Sequence, residues 1–305
     1  MPEINSGIFI IDKPAGLTSA RVVSILKKLS GAKKAGHTGT LDPFATGVLI
    51  CCINEATKIS RFFLGGNKKY TARLCLGIET DTQDFTGNVI STCREFDFPD
   101  KVIQPAFKKF EGAIEQLPPV YSALKHKGIP LYVLARKGQP VQKPARKVHI
   151  FDIKIVETDL PEIVFDVSCS GGTYIRTLCA DIGKVLGCGG HLKELKRIES
   201  CGFGIREAST IEDLEKLASD GKLSDRMISM FDALPDMPPH TADDVLIEKI
   251  SRGKTIAERD IYPDELSGPD NFIKIVNKEN ELLAVLNKAG DKYGYCCVIN
   301  RPVAS

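Results

Sequence analysis

Residues 36–49, Gly36-His37-Thr38-Gly39-Thr40-Leu41-Asp42-Pro43-Phe44-Ala45-Thr46-Gly47-Val48-Leu49, place glycines, threonines and one carboxylate in an irregular loop that runs straight into an apolar strand. Glycine lets a backbone turn tightly and come close to a ligand. Pro43 stiffens the position beside the carboxylate, so Asp42 is expected on a rigid loop. Taken alone, an Asp-Pro turn is more often structural than catalytic. Its surroundings have to decide.

Upstream, Gly7-Ile8-Phe9-Ile10-Ile11 reads as a short apolar strand ending at the turn Asp12-Lys13-Pro14-Ala15-Gly16. Thr18 or Ser19 then caps a helix with the stripe Val22, Val23, Leu26 and Leu29, stopped by Gly31. Downstream, residues 69–78 alternate, with Tyr70, Ala72, Leu74, Leu76 and Ile78 on one face of a half-buried strand. Residues 100–112 read as a helix with Val102, Ile103, Ala106, Phe107 and Phe110 inward. Strands are expected at 148–156 and 163–169, and a helix at 174–186 closed by Gly187. There is no regular βαβ rhythm, which favours an α+β fold over a doubly wound sheet.

Leu234-Pro235-Asp236-Met237-Pro238-Pro239-His240 crowds three prolines into five residues and marks the domain boundary. The division expected is a first domain over 1–234, a linker over 235–240 and a small β module over 241–305. In that module, apolar runs at 272–276, 282–286 and 295–299 are separated by the loop-forming residues 277–280 and 289–291.

The chain has 305 residues, 43% hydrophobic and 26% charged, which excludes a disordered or fibrous protein. Its apolar runs are far too short for a membrane helix, and no secretory signal is visible, so a cytoplasmic protein is expected. The ten cysteines include no C-x-x-C pair, and several lie in strand-like apolar runs, as free thiols of a reducing compartment do. No metal site is expected from them. Phosphate-loop, dinucleotide-binding and serine-hydrolase signatures are all absent.

The formal net charge of +2 hides a segregation. From Gln116 through Phe151 there is no acid, yet Lys125, Lys127, Arg136, Lys137, Lys143, Arg146 and Lys147 fall there. A second acid-free run over 13–41 carries Lys13, Arg21, Lys27, Lys28, Lys33 and Lys34. Clustering of this kind suits a surface that follows phosphates, although charge alone cannot name the polyanion.

The 36–49 loop closely resembles the catalytic loop of the TruB family of tRNA pseudouridine synthases. Further motifs follow in family order. Lys13-Pro14-Ala15-Gly16-Leu17-Thr18-Ser19 resembles K-P-x-G-x-T-S, and Lys69-Tyr70 its basic-plus-tyrosine strand. Thr80-Asp81-Thr82-Gln83-Asp84 followed by Gly87 resembles T-D-T-x-D-x-x-G, and residues 118–125, PPVYSALK, resemble P-P-x-Y-S-A-x-K. Gly172-Thr173-Tyr174-Ile175-Arg176-Thr177 resembles G-T-Y-I-R-T, and residues 187–195 the G-x-x-x-H-x-x-x-L segment that follows. Together they span roughly residues 7–206. Phe44 is the one departure noted, and it leaves Asp42 untouched.

The resemblance implies a synthase core of mixed, mainly antiparallel sheet with flanking helices, followed by a PUA-like RNA-binding module. It implies isomerisation of uridine 55 in the T arm of tRNA, with no cofactor, no metal, no obligatory protein partner and a monomeric enzyme. Asp42, Tyr70 and Arg176 carry over as catalytic residues. His37, Asp84, Tyr174, Leu195, Lys13 and Lys125 carry over as substrate- or RNA-contacting residues. Arg176 is expected to lower the Asp42 pKa, and Tyr70 to stack on the everted base and take the C5 proton. Residues 116–151 form a basic RNA-binding insertion. Two alternatives stand beside this: a guide-RNA-dependent synthase subunit, and a non-catalytic RNA-binding or RNA-folding protein.

Overall fold

A computed structural model describes residues 5–94, 97–261, 271–290 and 292–299. The strands in chain order are β1 (Gly7–Lys13), β2 (Ala35–His37), β3 (Thr46–Ile53), β4 (Lys68–Leu76), β5 (Ile78–Thr80), β6 (Val89–Thr92), β7 (Gly112–Gln116), β8 (Lys125–His126) and β9 (Ile129–Pro130). They continue with β10 (Arg146–Asp159), β11 (Glu162–Cys169), β12 (Gly190–Ser200), β13 (Phe203–Gly204), β14 (Pro239–Thr241), β15 (Ile256–Ala257), β16 (Phe272–Val276), β17 (Leu282–Ala289) and β18 (Lys292–Val298). The helices are α1 (Ser19–Ser30), α2 (Arg61–Leu64), α3 (Asp100–Lys108), α4 (Leu131–Arg136), α5 (Ile175–Leu186), α6 (Ile211–Ser219) and α7 (Asp244–Ser251).

The main sheet runs β1-β3-β12-β4-β11-β10-β7, with β2 paired on β3 and β13 on β12. All its ladders are antiparallel except β12 on β3, where Lys196 and Arg197 sit beside Thr46 and Gly47. That one parallel contact brings the end of the 36–49 loop against the strand carrying Leu195. The fold is the α+β arrangement expected from sequence.

Local signals place the flanking helices. Thr18 Oγ1 accepts from the Arg21 backbone N–H at 3.1 Å and caps α1, and Gly31 ends it in the left-handed region. Gly187 closes α5 in the same way. Two expectations need correction. The 69–78 strand breaks at Gly77, whose φ of 81° turns the chain so that Ile78 opens β5 instead of continuing β4. The helix expected over 100–112 ends at Lys108, because Gly112 at φ 93° already starts β7, and Val102 faces solvent.

Past the Pro-rich segment, a second sheet runs β14-β16-β17-β18-β15, the β module expected there. Asp291 of one expected loop, and residues 262–270 and 300–305 of the module, lie outside the described residues. The segment expected as a linker is not a free tether. Pro239 and His240 already form β14, and Lys274 Nζ donates to Phe231 O at 3.0 Å and Leu234 O at 2.8 Å. Ile8, Ile10, Val48, Ile50 and Phe63 share one apolar cluster with Val276, Leu282, Val285 and Ile299. No described helix is long and apolar enough to cross a membrane.

Candidate active site

The loop between β2 and β3 is held from several sides. Leu41 N–H donates to Ser19 Oγ at 2.9 Å, and Ser19 Oγ donates to Leu41 O at 3.1 Å. Pro43 O accepts from Gly16 N at 2.8 Å and from Lys13 Nζ at 3.1 Å. Leu41 and Ala45 are buried in the core on either side of Asp42. Their burial anchors the backbone, while the Asp42 side chain stays 31% exposed.

Arg176 lies in the first turn of α5, only 5% exposed, between two carboxylates. Its Nε is 3.0 Å from Asp42 Oδ2, and its Nη1 is 3.1 Å from Asp84 Oδ2. Nη1 also donates to Thr82 O at 3.0 Å and Nη2 to Tyr121 O at 2.9 Å. The Nε–H is not aimed at Asp42, so that contact is an ion pair without an aligned hydrogen bond. The two acids differ in solvation. Asp84 Oδ1 accepts from Thr82 Oγ1, Thr86 N–H and Thr86 Oγ1, which saturate a buried carboxylate. Asp42 is only partly exposed, at 31%, and keeps the ion pair with Arg176.

Burial raises the Asp42 pKa, Arg176 opposes that, Asp84 adds to the rise, and Lys13 opposes it. Arg176 therefore acts in the direction expected from sequence, but desolvation outweighs it. The free site holds a carboxylate that is poorly solvated for its charge. Such a group gains from a reaction in which the charge is used.

Tyr70 is buried on β4, opposite Arg197 of β12. Burial raises its phenol pKa, and the Arg197 guanidinium opposes the rise. Leu195 lies two residues before Arg197 on β12, and both side chains are buried. Leu195, Tyr70, Leu41 and Ile175 belong to one apolar cluster. Tyr174 precedes α5, where its N–H donates to Gln116 Oε1 at 2.7 Å and its carbonyl accepts from Gln116 Nε2 at 3.0 Å. His37 ends β2, and burial followed by the Arg197 charge lowers its pKa. Its Nδ1 is buried with no partner. Lys125 is exposed on β8.

Lys13 requires correction. Expected as a phosphate ligand, it is fully buried, with Nζ donating to Pro14 O, Leu17 O and Pro43 O at 2.8, 2.7 and 3.1 Å. Its three contacts are all to backbone carbonyls, two in the turn that follows β1 and one in the Asp42 loop, so it ties the two together. Sequence reading also missed Arg197, 2% exposed, whose Nε donates to Val48 O at 2.6 Å and whose Nη2 donates to Gly39 O at 3.1 Å. It ties both ends of the Asp42 loop to β12. Its placement two residues after Leu195 on an alternating strand was the available signal.

Residues 27–175 match the family model of the TruB family pseudouridylate synthase N-terminal domain. Residues 176–234 match that of the tRNA pseudouridylate synthase B C-terminal domain. The chain belongs to the TruB family of pseudouridine synthases. As a TruB enzyme it is an isomerase of the tRNA pseudouridine synthase class. Among its relatives, tRNA pseudouridine synthase B of Syntrophobacter fumaroxidans is 44% identical over 92% of each chain. The enzyme of the same name from Alkaliphilus oremlandii is 51% identical over 70% of this chain and 71% of its own. That of Haemophilus influenzae is 40% identical over 92% and 89%.

Solved structures agree with the TruB assignment at the level of fold. The crystal structure of a Cbf5–Nop10–Gar1 complex matches with a TM-score of 0.75 at 27% identity, over 96% of this chain and 85% of that one. The archaeal box H/ACA Nop10–Cbf5 complex matches with a TM-score of 0.75 at 25% identity, over 98% and 87%.

Proposed function

We propose that this TruB enzyme converts uridine 55 in the T arm of tRNA into pseudouridine, with Asp42 as the group that attacks carbon. The observation that carries the reading is the Asp42 carboxylate, pinned on its loop, 3.0 Å from Arg176 Nε and still open to solvent. Among the described residues His37 Nδ1, Ser122 Oγ and Arg146 Nε are buried without hydrogen-bond partners, and orphaned polar atoms of this kind suit a polar ligand.

The reaction breaks the N1–C1′ bond of uridine, turns the uracil and joins C5 to C1′. A proton leaves C5 and N1 gains one. An ionised carboxylate suits this because it attacks carbon and later departs. The target base has to leave its stack, at a cost of a few kcal/mol. Contacts with the Tyr70 ring return about 1–3 kcal/mol of that. Burial keeps the Tyr70 phenol protonated in the free enzyme. Its role in removing the C5 proton therefore requires it to pass its own proton on.

Asp84 holds Arg176, Leu195 walls the pocket, Tyr174 borders it, and His37 assists eversion. Lys125 and its basic neighbours over 116–151 follow the phosphates, with the PUA-like module adding RNA contacts. The protein acts as a monomer in the cytoplasm, without cofactor or protein partner.

The decisive experiment maps pseudouridine in unmodified tRNA transcript, with no guide RNA, after incubation with wild type and with Asp42→Asn. Product at position 55 with wild type, and none with a variant that still binds tRNA, is the expected outcome. Product from the variant refutes the aspartate mechanism. Wild-type activity that appears only on adding guide RNA and protein partners supports the guide-dependent reading, which draws on the similarity to the archaeal box H/ACA Nop10–Cbf5 complex.

A further inference from the structure

Arg146 opens β10, half-buried, paired in register with Gln116 of β7. Its Cζ lies 4.6 Å from the centroid of the Tyr174 ring. Gly172, at φ 88°, packs its backbone against the same guanidinium, and a Cβ there would approach Arg146 Cζ to 3.4 Å. The group is thus held between an aromatic ring and a glycine. Among the described residues, none of its five N–H donors meets an acceptor and no carboxylate pairs with it, and its Nε is buried. A fixed guanidinium with all its donors unused is prepared for an anion, and a planar fork suits phosphate oxygens.

Resting on the function proposed above, we propose that Arg146 binds a phosphodiester of the substrate RNA beside the everted nucleoside. Tyr174, on which it stacks, stands two residues before Arg176, which holds Asp42. Gln116 clasps Tyr174 through both backbone groups and pairs with Arg146 across the strands, so the three form one unit. Arg146 is a binding residue, separate from the chemistry at Asp42.

The test measures affinity for a synthetic T-arm stem-loop against salt, for wild type, Arg146→Gln and Arg146→Lys. Each phosphate contact contributes roughly 0.7–0.9 to the slope of log affinity against log salt. The glutamine variant is expected to lose about that much slope and to bind about tenfold more weakly near 0.1 M salt. The lysine variant keeps the charge and therefore the slope. A neutral methylphosphonate at one phosphate flanking the target uridine should weaken wild-type binding and add nothing to the loss in Arg146→Gln. A glutamine variant with an unchanged slope overturns the proposal, since a purely structural stack would weaken binding without releasing fewer counterions. So does additivity with the methylphosphonate at every flanking position. Pseudouridine formation by wild type on the same RNA is read in parallel, so failure of the assigned reaction is seen separately from failure of the Arg146 contact.

Discussion

Asp42 carries the tension on which the site depends. Burial lifts its pKa although Arg176 and Lys13 both oppose the rise, so the folded chain binds a proton there at higher pH than the unfolded chain does. Between the ordinary carboxylate range and that raised value, the native state holds more protons than the unfolded state. Stability therefore falls as pH rises through that window. At neutral pH the ionised group is a burden on the fold, and Asp42→Asn removes it while Asp84 remains to pair Arg176. The variant is expected to melt no lower than wild type at pH 7, although it forms no product. A clear drop in melting temperature would show that the ion pair outweighs desolvation. Under the proposed mechanism activity has the opposite dependence, since that mechanism uses the ionised carboxylate. The acid limb of kcat/KM, which reports the free enzyme, should lie above the range of an unperturbed carboxyl. In Arg176→Gln, any residual activity should have its acid limb displaced further upward, because the cation that lowers the pKa is gone. An unmoved limb would mean that another group titrates.

At the scale of elements, the loop and β12 depend on one close approach. Gly47 has a φ of 101°, and a Cβ on it would sit inside the van der Waals envelope of the Arg197 carbonyl. Gly47→Ala is expected to destabilise the protein by about 2 kcal/mol or more through backbone strain and overlap. It should also reduce turnover, because the loop that carries Asp42 would shift; chemical denaturation and rate measurements on the same preparation check both. What sequence made legible here follows from locality. The caps of α1 and α5, the alternation of β4 and the position of Asp42 on a stiff loop depend on neighbouring residues. The burial of Lys13 and the bracing by Arg197 depend on carbonyls supplied by residues as far away as Pro43, Gly39 and Val48. A lysine in an acid-free run reads as a surface cation until the chain closes over it. The break at Gly77 was missed for a related reason, since a strand pattern that continues in side chains says nothing of a left-handed backbone.

Over the whole molecule, the Pro-rich segment separates two sheets; the second keeps a cluster of its own around Leu246, Ile273 and Leu286 and shares another with the first body. Val276, Leu282 and Val285 of the second sheet, with Ile299 just past β18, are buried in one cluster with Ile8, Ile10, Val48, Ile50 and Phe63 of the first body. The Phe62 and Phe272 rings meet edge-to-face at 5.4 Å, and Lys58 Nζ donates to Val298 O at 2.9 Å. Each large apolar side chain uncovered by losing that partner forfeits up to about 1.5–3 kcal/mol of burial. A chain ending at residue 234 would uncover apolar side chains of β1 and of β3, the strand that the Asp42 loop runs into. It is therefore expected to melt well below the full chain and to self-associate, as large exposed apolar patches do. Calorimetry and light scattering on the two chains measure this directly. Phe272→Ala in the full chain, which removes one ring from the junction, should lower the melting temperature in the same direction but by less. A truncated chain that melts where the full chain does would mean that the junction contributes nothing. The second sheet could then be treated as an RNA-binding appendage alone. If instead stability falls as expected, weaker tRNA binding after truncation reflects damage to the catalytic body as well as loss of the RNA contacts proposed for the second sheet. The two are separated by measuring affinity at a temperature where both chains remain folded.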